Sequence, residues 1–155
     1  MLPQIHFILG IVFVAILYFF FSPIISIFGL TIILLSSVVI DIDHYIYYIF
    51  KKNDLNPFTA YKWYIKNIRK LYSMSKEQKK KIYLGFYFLH GVESLIILLF
   101  LGFYLYPIFN FIFIGLLFHL FVDFITEIMF EQRFSKLSVI YNLFIFKKLT
   151  NLDAI

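Results

Sequence analysis

The chain has 155 residues, of which 62% are hydrophobic and only 15% charged, with a mean hydropathy of +0.88. That balance excludes an ordinary water-soluble globular domain. There is no Cys, which excludes disulfides and thiolate metal sites, and the formal charge of +5 matters less than where it sits.

The predicted fold class is all-α: a polytopic membrane protein, a four-transmembrane-helix bundle with interfacial amphipathic helices. It reads as a single membrane domain over residues 1–155. Residues 2–21 are mostly apolar and long enough to cross about 30 Å of hydrocarbon. No basic n-region or cleavage site precedes Phe20, so this segment reads as a span and not as a removed signal peptide. Ser22-Pro23 has the form of an N-cap followed by a first helical Pro, opening a second span over 23–48. Its last third carries Asp41, Asp43 and His44.

Residues 51–81 form a basic connection. Asn56-Pro57 predicts a helix start. Tyr61, Tyr64, Ile65, Ile68, Leu71 and Tyr72 then recur at helical spacing, with Lys62, Lys66, Arg69 and Lys70 mostly elsewhere around the helix. An interfacial helix on an anionic leaflet would have this pattern; a solvated loop helix is the alternative. Ser75-Lys76-Glu77-Gln78 is a capping-box sequence, expected to lead into a third span over 82–106. Tyr106-Pro107 marks a turn, and a fourth span covers 108–130. In the tail, 131–155, Phe134, Leu137, Ile140 and Phe144 could form an interfacial stripe.

All 14 Lys and Arg lie in 51–81 and 133–148. Four spans put both termini and the middle connection on one side, and the positive-inside rule makes that side cytoplasmic. The expected location is the cell (inner) membrane, with lipids as partners and anionic lipid contact through Lys51–Lys81.

Buried polar residues are costly at membrane depth and usually serve a function. His6 lies about one turn into the first span. Asp41, Asp43 and His44 sit near the cytoplasmic end of the second. His90 and Glu93 lie two to three turns into the third, and His119, Asp123 and Glu127 in the last turns of the fourth. At about 1.5 Å per residue these depths overlap within roughly 10–15 Å, so these side chains are expected to gather in one pocket. His119 and Asp123 are i, i+4 and share a helix face with Glu127. His90 and Glu93, and Asp41 and His44, are i, i+3. Asp43 is about 200° around an ideal helix from Asp41, so either the helix loosens there or one Asp supports the ligands from behind.

Carboxylate and imidazole from several helices are how bundles build metal sites. The candidate ligands are His6, Asp41, Asp43, His44, His90, Glu93, His119 and Asp123. They suit a divalent metal, zinc first and manganese as an alternative, as one ion with an open position or two. Such an ion acidifies bound water and offsets the buried carboxylates. A lipid head group or phosphoester would be within its reach.

Three motifs carry a family resemblance. Ile5-His6-Phe7-Ile8-Leu9-Gly10 is similar to Thr-His-x-x-x-Gly. Ile40-Asp41-Ile42-Asp43-His44 is similar to Pro-Asp-x-Asp-His, with Ile40 at the Pro. Gly115-Leu116-Leu117-Phe118-His119-Leu120-Phe121-Val122-Asp123 is similar to Gly-x-x-x-His-x-x-x-Asp. In this order they resemble the inner-membrane metal-dependent hydrolases of YdjM type, whose family name also calls them LexA-binding. Where that family often has His-Arg-Gly and a following Thr-His-Ser, this chain has Leu89-His90-Gly91-Val92-Glu93-Ser94, with Glu93 near the place of the second His.

The resemblance implies a membrane-embedded metal-dependent hydrolase, here acting on a phosphoester or lipid-linked substrate at the cytoplasmic leaflet. Glu93 and Asp43 are the candidate catalytic residues. Two other classes use the same residues: an ion or metal transporter, and a non-enzymatic membrane scaffold. No nucleic-acid partner is expected, since only a generic basic loop is present.

Overall fold

The computed structural model describes residues 3–131, 138–146 and 148–152. In chain order the elements are α1 (Pro3–Phe21), α2 (Ile27–Val39), α3 (Ile42–Lys52), α4 (Pro57–Ser73), α5 (Lys76–Lys79), β1 (Ile82–Tyr83), α6 (Val92–Tyr104), α7 (Ile108–Thr126), a π-helical turn (Glu127–Glu131), α8 (Val139–Phe146) and β2 (Thr150–Asn151). Among the described residues three helical stretches are long and apolar enough to cross a membrane: Pro3–Phe21, Ile27–Lys52 and Ile108–Phe130. The chain divides into two compact units, Met1–Asp41 with Gly91–Asp123, and Ile42–His90 with Phe124–Ile155.

The first unit holds α1, α2, α6 and most of α7. Its outer surface is apolar: Phe7, Phe19, Ile27, Leu35, Phe103 and Phe121 are all exposed. Helices in lipid gain little from burying such groups against one another, so small residues that let backbones approach decide the packing. Gly10 faces Ser37, where a Cβ would lie 2.8 Å from Oγ. Gly115 faces α2, where a Cβ would strike Ser36 Oγ and come within 2.5 Å of the Ile33 carbonyl. Gly29 lies against Phe111. The pairs Gly29–Phe111, Ser36–Gly115 and Ser37–His119 advance together along both helices, so α2 and α7 run parallel. α1 runs antiparallel to α2, with Gly10 beside Leu34 and Ser37.

Two expected boundaries move. The cap of the second helix is Ser26, not Ser22: its Oγ accepts from the Gly29 N–H at 3.1 Å, while Pro23 lies in the preceding turn. The third apolar helix begins at Val92 and not at residue 82, and has 13 residues. The physical reason is tertiary. Ile82 and Tyr83 pair in parallel with Thr150 and Asn151, and Leu84 and Tyr87 are buried, so 82–91 is kept out of the helix until Gly91 opens α6.

The second unit has a core of Tyr48, Ala60, Tyr64, Leu71, Ile82, Leu84, Tyr87 and Leu152. α4 starts at the predicted Asn56-Pro57, with Asn56 Oδ1 accepting from the Phe58 N–H at 2.9 Å. Its buried face, Ala60, Tyr64, Asn67 and Leu71, recurs at helical spacing. Tyr61 and Tyr72, from the expected stripe, are exposed. The Ser75 capping box forms, but on the four-residue α5. The Lys79 ammonium is buried and donates to the Phe130 carbonyl at 3.0 Å, satisfying a carbonyl at the end of the π-helical turn. On α8, Ile140 and Phe144 are exposed and Asn142 is buried. Phe134, Leu137, Arg133, Lys136 and Lys147 lie outside the described residues.

Candidate metal centre

α2 ends at Val39 and α3 begins at Ile42. The Asp41 N–H donates to the Val38 carbonyl at 3.2 Å, a tightened turn. Asp41 lies in this break, and Asp43 in the first turn of α3. Asp41 belongs to the first unit and Asp43 to the second.

In the first unit four predicted residues meet. His6 comes from α1, Asp41 from the end of α2, and His119 and Asp123 from α7. His6 and His119 have no exposed surface, and Asp41 and Asp123 are buried. One ligand atom each from His6, Asp41 and His119 lies within 4.8 Å of the others. His6 Nε2 is 3.2 Å from Asp123 Oδ1, and His119 Nε2 is 3.5 Å from Asp123 Oδ2 and 3.7 Å from Asp41 Oδ1. The i, i+4 spacing on α7 thus places the second pair as expected from helix geometry.

The tautomers follow from the partners. His119 Nδ1–H donates to the Ser37 carbonyl at 2.8 Å, so a neutral ring points its Nε2 lone pair at the carboxylates. The His6 ring stacks on His119 at 3.9 Å, 18° from parallel, and two imidazolium charges at that spacing would repel. Neither His6 nitrogen has a hydrogen-bond partner among the described residues. The His119 Nε2 atom and the carboxylate oxygens, 3.5–3.7 Å apart, can share a cation in the neutral-ring form and pair directly in the protonated one. Two carboxylates in an apolar bundle need a counter-charge. The donor set, two imidazole nitrogens and carboxylate oxygens, matches zinc's preferred ligands. The residues therefore fit a divalent cation.

In the second unit Asp43 organises three groups. Its Oδ1 faces His44 Nδ1 at 2.8 Å, and its Oδ2 faces His90 Nδ1 at 3.0 Å. The Leu89 N–H also donates to Oδ2 at 3.0 Å. An ionised carboxylate can only accept, so both rings donate from Nδ1. Carboxylates commonly orient metal-binding histidines in this way. His44 stacks flat on Tyr87 at 3.8 Å and 5°, and Tyr64 Oη donates to the His44 carbonyl at 3.0 Å and lies within hydrogen-bond distance of Tyr87 Oη, at 3.3 Å.

His90 and Glu93 are not neighbours on one helix. His90 lies in the bends that precede α6, in the second unit, and Glu93 in the first turn of α6, half-buried. Glu93 joins no metal-sized group among the described residues. Glu127 is buried at the start of the π-helical turn. Sequence reasoning missed the Ser37 carbonyl, because a backbone acceptor carries no residue signal, and the Tyr64–Tyr87 support of His44, because its members are 23 residues apart.

The chain matches no protein-family model, no curated protein and no solved structure.

Proposed function

We propose that this is a multi-pass protein of the cell membrane that holds a divalent cation, zinc first, at His6, Asp41, His119 and Asp123. Its reaction would be hydrolysis of a phosphoester or another lipid-linked bond at the cytoplasmic leaflet, in line with the YdjM-type motif order. The observation that carries this reading is the buried set itself: ligand atoms of His6, Asp41 and His119 lie within 4.8 Å of one another, and Asp123 faces the Nε2 atoms of both rings at 3.2 and 3.5 Å. The clustering of all 14 cations in 51–81 and 133–148 supports a cytoplasmic position for these segments. The 13-residue α6 spans about 20 Å at 1.5 Å per residue; it would be the shortest of four membrane segments.

A bound divalent ion supplies Lewis acidity and acidifies water near neutral pH. The protein's own groups do the rest. Ser37 fixes the His119 tautomer through its carbonyl. Asp123 faces both rings, one oxygen to each, which holds His6 and His119 in register. In the second unit Asp43 orients His44 and His90 through their Nδ1 atoms. Glu93, in the first turn of α6, is the general base in this reading.

The test is phosphate release from phosphatidic acid and from p-nitrophenyl phosphate by the protein in proteoliposomes supplied with zinc or manganese. Turnover should vanish with chelator and fall by about 100-fold or more in Asp123→Ala. Metal uptake into the vesicles without hydrolysis would replace this reading by a transporter, and neither activity would leave a scaffold.

A further inference from the structure

The connection between α3 and α4 carries chemistry that the metal site does not use. Phe50, Leu55 and Phe58 are 82%, 72% and 77% exposed. One exposed apolar side chain is ordinary, but three large ones on a short turn form a patch that asks for an apolar partner. The turn holds them outward by bonds at its base. Asp54 Oδ2 accepts from Tyr48 Oη at 2.5 Å and from the Thr59 hydroxyl, and Oδ1 accepts from the Asn56 N–H at 2.8 Å. Tyr45 Oη donates to the Leu55 carbonyl. Asn53, at φ 51°, reverses the chain in the left-handed region that Asn tolerates.

Two further observations name the partner. Lys51 and Lys52 are exposed beside Phe50, so the patch is flanked by positive charge. They also end Ile27–Lys52, a stretch long and apolar enough to cross a membrane. The residues that follow such a stretch pass through the head-group zone, where apolar tips and basic flanks are both favoured. We propose that this turn is a rigid membrane-docking prong: Phe50, Leu55 and Phe58 enter the head-group and acyl-chain boundary of an anionic phospholipid leaflet, and Lys51 and Lys52 contact its phosphates. The prong rests on the membrane placement proposed above and is independent of the metal.

The absence of native Cys allows single-label tests on the full chain in bilayers. Leu55→Cys and Phe58→Cys, carrying an environment-sensitive fluorophore, are compared with Phe19→Cys on the outside of α1 and Glu77→Cys on α5. Vesicles contain phosphatidylcholine alone or mixed with phosphatidylglycerol. The labels at 55 and 58 should be quenched by brominated acyl chains and shielded from iodide, as at 19, and more strongly with phosphatidylglycerol. Lys51→Gln with Lys52→Gln should remove that dependence on anionic lipid, and Asp54→Ala should weaken the shielding at 55 and 58 but not at 19. Iodide quenching at 55 and 58, as at 77, would overturn the prong while the label at 19 upholds the membrane placement. Shielding from both quenchers would also overturn it, in favour of a second copy or another protein as the cover. Loss of lipid quenching at 19 as well would overturn both readings together.

Discussion

His119 is anchored by Ser37: its Nδ1–H donates to the Ser37 carbonyl at 2.8 Å, across from α7 to α2. Both residues are buried. Removing the ring leaves that carbonyl without this donor, and an unsatisfied buried acceptor costs about 1–3 kcal/mol. His119→Ala should therefore lower the thermal midpoint in detergent as well as lose metal. His119→Gln, which can still donate, should recover part of the stability but not the metal. Equal stability of all three proteins would show that the bond contributes nothing.

Close approach of α2 and α7 depends on Gly115. A methyl group there would meet the Ile33 carbonyl at 2.5 Å, a backbone atom that cannot rotate away. Gly115→Ala should destabilise the first unit by about 1–3 kcal/mol. Because Gly115 is one turn from His119, metal content should fall too. Thermal melts paired with metal analysis check this; an unchanged melt would mean that the helices separate freely.

Asp43 accepts from two imidazoles and one amide in the second unit. Asp43→Ala leaves all three donors without that acceptor. Exchange of the Leu89 amide should accelerate by at least about tenfold, matching roughly 1.4 kcal/mol. Asp43→Asn keeps an acceptor oxygen and should accelerate it less. Protection unchanged in Asp43→Ala would refute the assignment of that amide's partner.

Asp54 gives a pH dependence. Hydrogen bonds from Thr59, then from Tyr48 and the Asn56 amide, hold its carboxyl below the usual Asp range. A depressed folded value means that its stabilisation is complete above the unfolded value of about 3.9. It is lost as pH falls through the lower folded value. Trp63, 5.6 Å from the Tyr48 ring, is the only Trp and reports on this turn. Its emission should hold steady above about pH 4, change below it, and lose that acid-side change in Asp54→Asn. The same transition in the Asn variant would assign it elsewhere.

What the sequence reveals follows the range of the forces involved. Hydropathy is local, so Pro3–Phe21 and Ile108–Phe130 were legible within a residue or two. Caps are local too, and Asn56 and Ser75 were readable. Ser22-Pro23 has the local form of a cap, yet Pro23 lies in the turn and Ser26 caps the helix. The start of α6 was not legible, since Ile82 and Tyr83 pair with residues near the other end of the chain. For the site, the His119–Asp123 spacing sufficed to place that pair. The Asp41–Asp43 problem had two readings, a loosened helix or a supporting Asp. The structure shows the break at Ile40–Asp41 and an Asp43 whose two oxygens face imidazole Nδ1 atoms.

The most direct test of the central claim is the metal content of the purified protein by elemental analysis. The account predicts about one divalent ion per chain or more, lost in His6→Ala, His119→Ala and Asp123→Ala and kept in Glu77→Ala, at an exposed position of α5. Metal near zero in the unaltered protein after growth and dialysis with zinc or manganese, or content indifferent to those three substitutions, would contradict it.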